Sequence, residues 1–188
     1  MIPIGYMAKR VCNRPEFLRA SGVADIHSVS NCVNDDFADY IDYWKHNGYW
    51  FFDSPQVLQS LALEKSIDLQ DTKLFYYEAN ELAYDGEDWR TFSPSWENSV
   101  RLVTPSHKRL DGFDVVTFFA GNKPECSPLS CNSLAERLRV DEHCLFETFD
   151  EAEIALNNGK FTRCEAGPYR IFAVYSVEWP NASVEAKT

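Results

Sequence analysis

The chain has 188 residues, 45% of them hydrophobic and 14% aromatic, a size and apolar content that fit one folded body and exclude collagen-like, low-complexity and disordered classes. Its formal charge is −11, and residues 32–100 alone hold four basic and fourteen acidic side chains, a net −10. Such a block repels phosphates, so nucleic acid is not an expected partner, because its binders need stripes of Lys and Arg.

Residues 1–10 carry a short apolar stretch ahead of Lys9 and Arg10, the reverse of the order a secretory signal requires. No run approaches the roughly 18 apolar residues that span a bilayer. A cytoplasmic location with no membrane association follows as an expectation. There the six cysteines, Cys12, Cys32, Cys126, Cys131, Cys144 and Cys164, are expected to stay reduced. Asn181-Ala182-Ser183 matches a glycosylation acceptor, which has no use in that compartment.

Val33, Phe37, Tyr40, Ile41 and Trp44 fall on one helical stripe with aspartates around the rest of the axis, which predicts a helix capped by Asn34 and reaching His46. Asn47-Gly48 stops it, and Tyr49–Phe52 reads as a short buried strand. Ser54-Pro55 is a cap followed by a residue preset for a first helical turn, so a second helix is expected to about Lys65. Strands are predicted at Leu74–Ala79, Val100–Thr104, Phe113–Ala120 and Tyr169–Trp179, with an irregular, turn-rich segment from Tyr84 to Asn98. Ser133 with Glu136 and Thr148 with Glu151 match the capping box and announce two more helices, the second ending at Asn157-Asn158-Gly159. Residues 181–188 read as a frayed tail.

Together these elements predict a single α+β domain over residues 1–188, with a mixed or antiparallel sheet of about five strands and four short helices mainly on one face. The helix-strand-helix-strand order of residues 30–80 also resembles that of residues 130–179, which allows an internal pseudo-twofold repeat.

The eight glycines never take phosphate-cradling spacing, and HExxH, CxxC, EF-hand and GxSxG patterns are absent. No cofactor is therefore expected. The chemical candidates that remain are sulfur and imidazole. Cys126, Cys131, His143 and Cys144 could converge on one soft metal, although their spacing is looser than that of structural zinc sites. Cys32 and Cys131 each precede a predicted helix, whose positive end would favour a thiolate nucleophile. His46 or His143 could then act as base, but only by pairing across the halves, because about ten helical residues separate each Cys from its own His by about 15 Å.

A third candidate is a docking surface made by Asp85, Glu87 and Asp88 with Trp89 and Trp96, where carboxylates steer and rings anchor a basic protein. The leading expectation is a small acidic binding protein of inhibitor or immunity type that masks a basic partner. The alternative is a small thiol-dependent enzyme or metal protein built on Cys131 and His143.

Overall fold

The computed structural model describes residues 1–36, 47–91, 102–118 and 123–180. Its frame is an antiparallel sheet of β1 (Ile2–Arg10), β2 (Asp35–Asp36), β3 (Lys73–Tyr84), β4 (Trp89–Thr91), β5 (Arg109–Thr117) and β6 (Tyr169–Val177). Five strands run in the order β2-β1-β3-β6-β5, and β4 pairs with the far end of β3. Three helices accompany them among the described residues: α1 (Pro55–Lys65), α2 (Pro128–Cys131) and α3 (Phe149–Asn157), with a 3-10 turn at Leu134–Glu136. The chain is an α+β single domain, and none of its described helices is long and apolar enough to cross a membrane.

Two cores flank the strands. Leu58, Leu61 and Ala62 of α1 pack with Tyr6, Phe75, Tyr77, Phe172 and Val174, while Ala152, Ala155 and Leu156 of α3 pack with Leu129, Val115, Phe146 and Ile171. Burying each such leucine, isoleucine or valine contributes about 1.5–3 kcal/mol. Both long helices start where the sequence says. Ser54 Oγ accepts from Val57 N at 3.3 Å, and Thr148 and Glu151 form both bonds of the capping box at 3.2 Å.

Several expectations are corrected. Ile2–Arg10, read only as an apolar stretch, is an interior strand: Tyr6 pairs with Tyr76 on one side and forms a bridge to Phe52 on the other. Tyr49–Phe52 contributes only that bridge, because Trp50 has φ 66° and turns the chain. The helix expected from Val33 is replaced at its start by bends and by β2, which pairs Asp35 and Asp36 with Arg10 and Lys9. Among the described residues Asn34 accepts from Cys12 N and donates to Ile26 O. Residues 37–46 of that helix, with His46, lie outside the described residues, as do 92–101 with Trp96, and the tail 181–188.

The helix expected after Ser133 is reduced to the 3-10 turn, because Ser133 sits at φ 55° and makes no capping bond. Among the described residues the helices number three, not four: α1 and α3 are predicted ones, α2 is not, and the helix from Cys131 to His143 that the repeat required is not formed.

One local arrangement does occur twice. Asn47 Oδ1 accepts from Tyr49 N and Phe51 N, and Asp141 Oδ1 accepts from His143 N and Leu145 N. In each turn a residue at φ near 65°, Trp50 or Cys144, precedes a two-way backbone bridge, Phe52 to Tyr6 of β1 and Phe146 to Phe113 of β5. A glycine admits each bridge. A Cβ on Gly5 would lie 2.7 Å from Phe52 O, and one on Gly112 2.8 Å from Phe146 O. A capped helix follows both turns, and then a strand of the central pair, β3 or β6.

Candidate functional site

Residues 25–32 run from an imidazole cluster to a sulfur cluster, and the middle of the segment is clamped by buried charge. Lys9 of β1 is fully buried, and its Nζ donates to the carbonyls of Ser28, Val29 and Ser30 at 2.9, 2.6 and 2.8 Å. Asp114 of β5, also fully buried, accepts from Val29 N at 2.8 Å and from Ser127 Oγ at 2.6 Å. Ser30 N donates to Ser127 Oγ, and Ser127 N donates to Ser30 Oγ, at 3.2 and 3.1 Å. Buried charges persist only where hydrogen bonds replace water, and bonds to a charged group are roughly twice as strong as neutral ones. Burial pushes the Asp114 carboxyl up to about 6 against the opposing pull of Ser127, Val29 and Lys9.

The Ser30–Ser127 exchange joins the 28–32 segment to the loop that opens α2. That loop closes on itself: one turn from Pro128 returns Cys131 over Cys126, with 6.7 Å between their Cα atoms, and the two form a disulfide. Cys32 stands beside it. The three sulfurs lie within 4.8 Å of one another, and the Cys32 thiol donates to Glu125 O at 3.0 Å. Cys32 is exposed, Cys131 half-buried and Cys126 buried, along a cleft of about 430 Å³ that Asn132 and Glu165 also line.

The expectation of six reduced cysteines is thus corrected at Cys126 and Cys131. The helix argument for a reactive Cys131 fails too, since Cys131 ends α2 rather than preceding a helix, and Cys32 is followed by bends and β2.

The imidazoles assemble elsewhere. His27 N donates to His143 O, and the two rings stack at 4.0 Å with 5° between their planes. Asp25 Oδ1 lies 2.6 Å from His143 Nδ1, and Asp111 Oδ2 lies 2.9 Å from His27 Nδ1. Lys73 Nζ bridges His27 Nε2 at 3.1 Å and Asp25 Oδ2 at 3.2 Å. Burial opposes ionisation of Asp25, but the hydrogen bonds from His143 and Lys73 prevail and hold its carboxyl below the usual range. At Asp111 burial is likewise outweighed, here by bonds from His27 and Ser176.

The predicted metal quartet is therefore divided. Cys126 and Cys131 belong to the sulfur cluster, His143 to the imidazole cluster, and Cys144 is buried with its thiol pushed well up by desolvation and by Asp114 and Asp141. Among the described residues His143 groups with Asp25 and His27, not with Cys32 or Cys131, so the Cys32–His143 base pair is not formed, while the Cys131–His46 pair falls on a residue outside the described ones. Cys32 beside the disulfide was not legible, since no local pattern links it to residues more than ninety positions away.

The acidic hairpin lies between β3 and β4. Asp85 Oδ1 accepts from Glu87 N and Asp88 N and its other oxygen pairs with Arg90, while Glu87 and Asp88 are exposed. Trp89 is half-buried against Tyr84 and donates from Nε1 to Asn157.

Comparison of the chain with family models, curated proteins and solved structures finds no match.

The clamp predicts a pH dependence. A carboxyl raised from 3.8 to about 6 on folding keeps its proton in the native state while the unfolded chain loses it. Its contribution is full below about pH 4 and declines as pH rises to about 6, by about 3 kcal/mol in total. Asp114→Asn stays neutral throughout, so urea unfolding at pH 4 and pH 7 should show the variant gaining about that much relative to the native chain between the two. A difference independent of pH contradicts a protonated, buried Asp114.

Proposed function

We propose that this protein works by thiol–disulfide exchange, with Cys32 as the attacking thiol and Cys126–Cys131 as the internal disulfide. The observation that carries this reading is the convergence of the exposed Cys32 thiol and both disulfide sulfurs within 4.8 Å beside an open cleft. A Cys32 thiolate attacks one disulfide sulfur; a new S–S bond forms as the old one breaks, and the displaced sulfur leaves as a thiolate and takes up a proton equivalent to the one Cys32 lost. That internal step needs no outside oxidant. Exchange with a partner dithiol then converts two partner thiols to a disulfide while the chain gains two thiols, and reduction of a second partner's disulfide to two thiols restores Cys126–Cys131. The cytoplasmic location expected from the sequence suits this use, since cytosolic disulfides are typically transient and catalytic or redox-sensing.

The recurring turn supports a further element of this reading: the chain arose by duplication of a strand–turn–helix–strand unit. In that reading Cys32 belongs to the connection of the first unit and the disulfide to that of the second, so the exchange site lies where two once-equivalent connections meet.

A second reading, a docking face for a basic protein, is supported by Glu87 and Asp88, exposed at the tip of a hairpin whose turn Asp85 and Trp89 hold in shape. It suits an inhibitor or immunity-type protein, and it is compatible with exchange at the separate sulfur cluster, because the hairpin contains no sulfur.

Two experiments separate these readings. A short alkylation pulse on the native chain at neutral pH, followed by non-reducing peptide mapping, should label Cys126 or Cys131 in a fraction of molecules, each with Cys32 in a disulfide. Label on Cys32 alone, with Cys126–Cys131 intact at every time, contradicts exchange. For docking, binding of a lysine-rich peptide should weaken with added salt and fall about tenfold in Glu87→Gln/Asp88→Asn. Binding unchanged by the double substitution contradicts the hairpin as the docking face.

A further inference from the structure

Asp25, His27 and His143 stand apart from the sulfur chemistry, and their arrangement has features that neither reading above uses. Asp111, whose side chain has no exposed surface, lies 2.9 Å from His27 Nδ1. His27 Nε2 is hydrogen-bonded with Lys73 Nζ at 3.1 Å, and Asp25 Oδ2 lies farther off at 3.4 Å. An ammonium only donates, so Nε2 accepts and Nδ1 carries the hydrogen that bonds Asp111. This is how a carboxylate behind an imidazole fixes the tautomer of a metal-ligating histidine and turns the other nitrogen's lone pair outward. The lone pair faces a cation already. Lys73 Nζ lies between His27 Nε2 and Asp25 Oδ2, with a side chain 47% exposed that can withdraw into solvent.

We propose that Asp25, His27 and His143 bind a divalent transition-metal cation, with Asp111 as the positioning residue behind His27 and the Lys73 ammonium as the competitor that holds the cation's place. The donor set of two imidazoles and one carboxylate suits Zn²⁺, Co²⁺, Fe²⁺ or Ni²⁺ and leaves coordination positions for water or a ligand. One atom from each residue lies within 4.8 Å of the others, whereas bonds of about 2.1 Å in a tetrahedral site need about 3.4 Å between ligands. The contraction falls to His143. His27 is fixed by Asp111 and by edge contact with Phe75, and the stacked rings, with centroids 4.0 Å apart, hold their lone pairs in parallel planes that do not meet. The partly exposed His143 ring must therefore turn off the stack to share a metal.

Co²⁺ titrated into the full-length, disulfide-intact protein provides the test, read by visible absorption and calorimetry. The native chain should bind one Co²⁺ through nitrogen and oxygen donors. Asp25→Asn and His143→Ala should each weaken binding at least about tenfold, and Lys73→Ala should tighten it by about the same factor. Those two ligand substitutions fall on partly exposed side chains, so folding survives them, and near-ultraviolet circular dichroism checks this. Three results overturn the proposal: no binding at millimolar Co²⁺, unchanged affinity in Asp25→Asn and His143→Ala, or a thiolate-to-cobalt charge-transfer band, which would assign the metal to the cysteines instead.

Discussion

Lys9 and Asp114 are ionisable groups on separate strands, both without solvent exposure, and the path of residues 28–30 brings three acceptors to Lys9 and one donor to Asp114. Removing the carbonyls of Ser28, Val29 and Ser30 from Lys9 would take three hydrogen bonds from a charge in the interior, a cost of several kcal/mol that is of the same order as the ordering of three residues. The segment is therefore tied at three successive residues although it contains no regular structure. Ser127 extends the same clamp to the start of α2, because its hydroxyl serves Asp114 and Ser30 together instead of capping the helix.

Both candidate sites hang on this one segment. Asp25 and His27 lie immediately before the clamped residues and Cys32 two positions after them. On the imidazole side, His27 N and the 24–25 amides bond the carbonyls of His143 and Glu142, which draws His143 over His27. On the sulfur side, Ser30 and Ser127 bring Cys32 to the disulfide. A single clamp thus sets the geometry of two chemically different clusters, and it keeps the nitrogen and sulfur donors apart.

What was legible in the sequence was local. Ser54-Pro55 and Thr148 with Glu151 announced their helices because capping involves residues three apart, and Tyr169–Val177 announced a strand by composition. The interior strand Ile2–Arg10 was hidden because Lys9 reads as a surface cation, and only the tertiary fold supplies the three carbonyls that bury it. Asp35 and Asp36 read as a solvated helix face, yet strand pairing with β1 overrides that propensity. Pro128, Ser127 and Cys131 form a helix turn earlier than the capping pattern at Ser133 indicated, since Ser133 adopts a left-handed conformation. The clusters depend on contacts between residues about 85 to 120 positions apart, which no spacing rule encodes. The fold divides the cysteines and His143 between two clusters instead of gathering them into one set.

The claim that the clamp delivers Cys32 to the disulfide is tested most directly by the rate at which Cys32 joins Cys126 once Cys131 is removed. In Cys131→Ser the account predicts that a Cys32–Cys126 bond forms in the folded protein under mild oxidation, and that adding Ser127→Ala slows it by about tenfold or more, the effect of losing about 1.4 kcal/mol of buried hydrogen bonding. Failure of that bond to form, or formation at the same rate in both variants, would contradict it.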